Sequence, residues 1–316
     1  MAEQGVREVT EENTQASFVL ELQDVYQRYP DSGRLKTVLN DIDLRVRQGE
    51  FVSIVGPTGC GKSTMFRMIA GIEQPASGTL LVDGKPVLGP SRNCGVVFQQ
   101  YSQFPFLTVL ENITFGLRLE AFGLAGNLLA IHRRRIKEFN ERAMRYVDQV
   151  GLSPDDAFKY PHQLSGGMRQ RVAVAQAMIM EPKILLMDEP FGALDPATRE
   201  VMQLFILDMW QRTRSTVLFV THDLEEALFV GSRVILMSPH YETDNGSHEG
   251  AKIVLDCQTS SVSPKPTDYK YSPECNALMK AIREGGYSSS NKVHIRGFNL
   301  RHADSFRTVT PEEWRR

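Results

Sequence analysis

The sequence predicts an α/β fold: a mostly parallel sheet covered by helices on both faces, with a helical subdomain inserted in it. Three observations support this. Short apolar blocks such as "KILLMD", "TVLFVTHD" and "RVILMS" recur along the chain. Helix-patterned stretches, "STMFRMIAGIE", "ATREVMQLFILDMWQR" and "LEEALFVG", alternate with blocks of this kind. That alternation yields parallel strands joined by crossover helices. From Thr108 to His162 the pattern instead turns helical and charged, as in "HRRRIKEFNERAMRYVDQVGL", which marks the insertion.

Residues 1–17, "MAEQGVREVTEENTQAS", are polar and acidic and read as a loose tail. "FVLELQDVYQRY" and "DIDLRVRQGEFVSIVG" alternate or run apolar as strands do, and the second ends at a glycine-rich turn. "STMFRMIAGIE" is a helix stopping at Gly71, "GTLLVDGKPV" a hairpin about Asp83-Gly84, and "CGVVFQ" a short buried strand. These elements define a core domain over 18–245 with its helical subdomain at about 101–165. After Pro239 the composition becomes polar ("HYETDNGSHEG") and periodicity fades, leaving 246–316 as an extension open to three readings: regulatory attachment, dimer brace or disordered tail. Tyr269, Tyr271, Leu278, Met279 and Ile282 argue for some packing there.

Composition narrows the function classes. The 316 residues are 41% hydrophobic and 23% charged, an ordinary globular balance. Lys+Arg 36 against Asp+Glu 38 gives a net charge of −2, which lacks the basic footprint of a nucleic-acid binder. Cys60, Cys94, Cys257 and Cys275 form no CxxC pair, so neither a zinc site nor a disulfide framework is implied, and a reducing cytosol suits them. No apolar run reaches the roughly 18 residues that span a bilayer, and the N-terminus has no signal-peptide core. If the protein serves a membrane, it does so as a peripheral subunit.

"GPTGCGKST", comprising Gly56, Pro57, Thr58, Gly59, Cys60, Gly61, Lys62, Ser63 and Thr64, follows a strand and opens a helix, as a P-loop does. Its amides cradle phosphates, Lys62 reaches the β- and γ-phosphates of a nucleotide, and Ser63 ligates Mg²⁺. "KILLMDEP" puts Asp188 and Glu189 at the end of an apolar strand, where two adjacent acids are costly unless they have a task. Asp188 suits the Mg²⁺ shell and Glu189 the orientation or deprotonation of an attacking water. "VTHD" places His222 at another strand end, where a lone histidine is more often a cap than a catalyst. "LSGGMRQ" sets Ser165, Gly166 and Gly167 before a helical run, a second anion seat.

The order P-loop, Gln99, "LSGG", "LLMDEP", "GALD", "THD" resembles the nucleotide-binding subunit of an ABC transporter over about residues 18–240. A GTPase would carry N-K-x-D, whereas Asn291-Lys292 continues "VH"; recombinase-type ATPases lack "LSGG". The resemblance implies an ABC ATPase core with a mixed sheet, ATP and Mg²⁺ as ligands, and roles residue by residue. Tyr29 stacks on adenine; an exposed strand-end tyrosine is an equal reading of the same residue. Gln99, or its neighbour Gln100, joins Mg²⁺ and senses a transmembrane partner. Asp195 links the two sites, and His222 is the γ-phosphate switch. The signature departs from the family's LSGGQ only at Met168, which leaves the phosphate-contacting serine and glycines in place.

The resemblance also explains two anion seats for one ATP: the P-loop of one chain and Ser165–Gly167 of another clamp it in a homodimer. Implied partners are two transmembrane permease subunits and, indirectly, a periplasmic or extracellular solute-binding protein. The expected place is the cytoplasmic face of a bacterial inner membrane. "LSGGMRQRVAVAQAM", "DEPFGALDPATREVMQ" and "THDLEEALF" resemble the nitrate/sulfonate/taurine group of importers, with urea- or guanidine-like solutes as an alternative. A non-transport ABC ATPase is a rival, but paired cassettes or a long coiled-coil insertion are not visible. The basic run "IHRRRIKEFNERAMR" suits a solvated helix face, and the methionines of "AMIMEPKILLM" suit core packing.

Overall fold

A computed structural model describes residues 18–99, 102–126, 133–244, 246–259 and 265–305. The tail 1–17 and Gln100 lie outside the described residues.

The chain opens with two long antiparallel strands, β1 (Phe18–Asp31) and β2 (Arg34–Arg47), then β3 (Phe51–Val55), buried throughout. The P-loop follows and leads into α1 (Lys62–Ile69). The hairpin β4 (Ser77–Val82) and β5 (Lys85–Pro86) turns through Asp83 and Gly84, both at positive φ (53° and 69°). Two positive φ values in a two-residue loop match the twist of the flanking strands. β6 (Cys94–Val97) precedes the insertion, formed by α2 (Val109–Gly126), kinked at Gly123, and α3 (Arg133–Gln149). α4 (Gly166–Met178), β7 (Ile184–Asp188), α5 (Pro196–Thr213), β8 (Thr216–Val220), α6 (Leu224–Val230) and β9 (Arg233–Ser238) restore the α/β alternation. The chain continues with β10 (Tyr241–Thr243), β11 (Gly246–Ser247), β12 (Lys252–Gln258), α7 (Pro273–Glu284), β13 (Val293–His294) and β14 (Asn299–Leu300).

Seven strands in the order β14-β12-β9-β3-β8-β7-β6 form the central sheet, and β2-β1-β4-β5 form a separate antiparallel sheet. β9, β3, β8, β7 and β6 run parallel, whereas β12 joins β9 antiparallel, so the sheet is mixed. Because β12 spans 252–258, part of the segment beyond 245 is hydrogen-bonded into the central sheet. The boundary at 245 falls between β10 and β11, which pair with each other.

α1 packs Met65, Phe66, Met68 and Ile69 between the two sheets. On the opposite face, Met202, Ile206 and Trp210 of α5 pack with Phe51 of β3. α4 divides its apolar side chains, giving Ala173, Val174 and Ala177 to that core and Val172 and Ala175 to the core of the insertion with Val109, Ile113 and Val147. The signature helix thereby packs against both the sheet and the insertion. Burying most of one Leu- or Val-sized side chain is worth about 1.5–3 kcal/mol. The basic helix α3 buries only Ala143 and Val147, and its charges pair along the helix as Arg134–Glu138 and Lys137–Glu141.

Candidate functional site

Three strand ends meet at one edge of the central sheet. β3 delivers the P-loop, β7 delivers Asp188 and Glu189, and β8 delivers Thr221 and His222. This follows from parallel order β3-β8-β7, which brings all three carboxyl-terminal ends to the same side, where open α/β sheets bind ligands. A cavity of about 470 Å³ there is lined by Val38, Thr58, Gly59, Gly61, Lys62, Ser63, Thr64, Glu189 and His222.

The P-loop backbone needs its glycines. A Cβ on Gly56 would stand 2.2 Å from the Met237 carbonyl oxygen, and one on Gly61 would stand 2.6 Å from Leu39. Gly61, at φ 98°, is the N-cap of α1, so the helix start presents free N–H groups to the cavity. Lys62 donates to the carbonyls of Gly56 (2.7 Å) and Pro57 (3.1 Å), which holds its ammonium at the loop mouth. Cys60 is buried, and burial pushes its thiol up, which keeps it protonated and unreactive.

Glu189 adopts φ 44°, a region that disfavours a residue with a long side chain. Its N–H bonds the Val220 carbonyl of β8 at 2.8 Å, so the neighbouring strand fixes this conformation. Such strain, of order 1–3 kcal/mol, is retained where surrounding structure enforces it, often at functional sites. Its carboxylate lies 3.1 Å from His222 Nδ1. Asp188 is raised above the usual carboxylate range, first by burial and then by the Glu189 charge, with Lys62 and Arg67 opposing. The oxygen donors Ser63 and Asp188 suit a hard cation such as Mg²⁺, which would also offset the paired carboxylates.

Other sequence candidates stand elsewhere. Gln99 is exposed, and its amide nitrogen lies 3.0 Å from where a Cβ on Gly192 would be, beside the loop after Glu189. Tyr29 lies on β1 outside the cavity lining, and its hydroxyl bonds Glu73 and Arg67. Asp195 caps α5 by accepting from the Thr198 N–H at 3.0 Å. Ser165 caps α4 by accepting from the Met168 N–H at 3.3 Å. Ser165, Gly167 and Met168 line a different cavity with Arg171 and Thr198. There a Cβ on Gly167 would come within 2.9 Å of Thr198, so the signature and Asp195 loops are in close register.

Sequence reasoning missed Val38, which closes one side of the phosphate cavity, and Tyr287, whose hydroxyl donates to the His222 carbonyl at 3.1 Å. Val38 sits in an ordinary strand pattern, and Tyr287 is distant in sequence. Neither carried a local signal.

Residues 39–192 match the family model described as ABC transporter. The chain is 40% identical over 269 residues to the nitrate import ATP-binding protein NrtD of Synechocystis, covering 83% of this chain and 95% of that one. It is 39% identical over 203 residues to the aliphatic sulfonates import ATP-binding protein SsuB of Bacillus cereus, covering 64% and 74%. In structure it is similar to the dimeric ATP-binding cassette MJ0796 in a post-hydrolysis state bound to ADP and Pi, with TM-score 0.60 and 30% identity over 77% of this chain and all of that one. No helix among the described residues is long and apolar enough to cross a membrane. With the P-loop, Glu189 and His222 lining one cavity, the chain belongs to the ABC transporter family as an ATP-binding, ATP-hydrolysing subunit.

Proposed function

We propose that two copies of this chain hydrolyse ATP at sites shared between them and thereby drive import of a small polar solute through membrane-embedded permease subunits. The observation that carries this is the separation of the two anion seats: Ser165 and Gly167 line one cavity and Lys62 lines another. Two seats in separate cavities of one chain serve one nucleotide when a second copy brings its signature to the first copy's P-loop. Similarity to nitrate and sulfonate import subunits supports a nitrate- or sulfonate-like solute. A solute-binding protein would then choose it outside the membrane, and this chain would sit at the inner face of the membrane through protein contacts.

In this reading Glu189 takes the proton from the attacking water, and His222 donates toward the γ-phosphate while held by Glu189. Lys62 and the loop amides stabilise phosphate charge. Ser63, Asp188 and Gln99 would hold Mg²⁺, which would supply neutralisation of phosphate charge. Asp195, at the start of α5, passes the state of one site to the other. Tyr29 would stack on adenine after its hydroxyl contacts rearrange. The work is positional and electrostatic.

The test is complementation. Lys62→Ala removes the P-loop cation, and Ser165→Arg fills the signature seat. Neither homodimer should occlude ATP. When the two variants assort at random, about a quarter of all sites recover, since about half the dimers are mixed and one of their two sites is sound. Absence of occlusion above either parent, with mixed dimers verified, overturns the shared site. Proteoliposomes carrying the permease and binding protein, offered nitrate or an alkanesulfonate, test the solute.

A further inference from the structure

The segment after β12 reaches back to the histidine loop. His222 lies one residue before Asp223, the N-cap of α6, a helix of seven residues that makes little structure of its own. Both its ends are held by residues beyond 258. At the start, the Tyr287 hydroxyl donates to the His222 carbonyl at 3.1 Å. At the finish, the buried Lys265 amine donates to the Leu228 carbonyl at 2.6 Å and to the carbonyl of Gly231. Donation to the last carbonyls of a helix satisfies orphan acceptors, and the Lys265 amine supplies such donors although burial moves it down from 10.5 to about 7. Along the side, Lys270 bonds Gln203 of α5 at 3.1 Å, and Gln203 bonds the buried Glu226 of α6 at 3.1 Å.

Tyr287 is itself pinned. The preceding Gly286, at φ 94°, has its carbonyl bonded by the Ser238 hydroxyl at the end of β9, and a Cβ there would come 2.8 Å from the His240 carbonyl. Leu278, Met279 and Tyr287 pack with Leu228, Cys275 and Ile282 in one apolar cluster. Burial pushes the Tyr287 hydroxyl up, so it remains a donor across the physiological range.

We propose that Tyr287 is a positioning residue for His222: its hydroxyl, with Lys265 holding the far end of α6, sets where the imidazole stands relative to Glu189. The proposal rests on the role given to His222 above. A short helix fixed at one end only would let the loop pivot, and the 3.1 Å approach of His222 Nδ1 to Glu189 would loosen. The C-terminal segment thus acts on turnover from outside the nucleotide cavity.

The experiment is Tyr287→Phe in the full chain, which keeps the ring and its packing but removes the donor. A single neutral hydrogen bond corresponds to about threefold to tenfold in a rate. The expected result is a fall in kcat of that size with KM for ATP unchanged within about twofold. In histidine-labelled protein, the His222 ring resonances should shift or broaden while those of His248 and His302 stay in place. Unchanged kcat overturns the proposal, and so does a lowered kcat with His222 resonances as in the parent. Should Tyr287→Phe fail to fold, Lys265→Met carries the same two readouts and the same overturning results. His222→Ala tests the histidine's role separately: full turnover in that variant defeats the reading of His222, while the resonances of Tyr287→Phe still report the contact.

Discussion

His222 Nδ1 stands 3.1 Å from the carboxylate of Glu189, across the ends of the adjacent parallel strands β8 and β7. The two residues are far apart in sequence, and strand pairing alone brings them together. With Nδ1 against the carboxylate, Nε2 is the ring nitrogen left to face a phosphate, and donation from both nitrogens at once requires the doubly protonated ring. One carboxylate therefore stands next to both the histidine it orients and the water it would activate.

Glu189→Gln keeps size and hydrogen-bonding capacity and removes the base. Turnover should fall by about a hundredfold or more, as loss of general-base catalysis does. ATP binding with Mg²⁺ should persist, and an ATP-bound dimer should accumulate, measurable by size exclusion with labelled nucleotide. Steady-state hydrolysis near the parent's rate would remove Glu189 from the catalytic role.

Arg233 and Asp256 join β9 to β12 through a two-pronged ion pair, with bonds of 2.7 and 2.6 Å and exposures of only 1% and 3%. Glu50 and the Arg45 carbonyl take the remaining guanidinium donor, at 3.1 and 2.7 Å. Asp256→Ala leaves a buried cation short of its main partner and should cost about 3–5 kcal/mol. Thermal unfolding should show it as a large fall in midpoint. Replacing both residues with apolar ones of similar volume should recover much of the loss, whereas an unaltered midpoint in the single variant would mean the pair is not buried in solution.

Asp43 lies beside Asp24 and Asp41, with Lys252 bonded to Asp41 at 3.1 Å. Burial first, opposed by the Asp24 N–H and raised further by the neighbouring carboxylates, moves it from 3.8 up to about 6. The fold thus favours the protonated acid. Its contribution is present below the unfolded value and is lost as pH rises through about 6, because the native state binds more protons between the two values. Asp43→Asn keeps the acceptor for the Asp24 N–H and stays neutral. It should be more stable than the parent at about pH 7.5, by about 3 kcal/mol at most, with the gap closing toward pH 4. Equal melting midpoints at both pH values would contradict the displaced titration.

The P-loop, the signature and the acidic pair were legible in the sequence because each is a local object. Gly56, Gly61 and Lys62 make an anion seat within a single turn, and Ser165 and Asp195 cap the helices they precede, so spacing alone specifies the geometry. The strand order was only partly legible. Lys252 and Asp256 interrupt the apolar pattern by which a core strand is recognised, and Arg233 and Lys265 are buried polar groups as well. Lys252–Gln258 consequently read as part of an aperiodic extension although it is a strand of the central sheet. Those groups are tolerable only because Asp41, Glu50, the Arg45 carbonyl and the end of α6 meet them in space. The sequence by itself determined which chemistry the strand ends carry. Tertiary structure decided which strand ends meet, that Glu189 grips His222, and that Tyr287 reaches the same loop, because each of those contacts depends on partners that local spacing cannot encode.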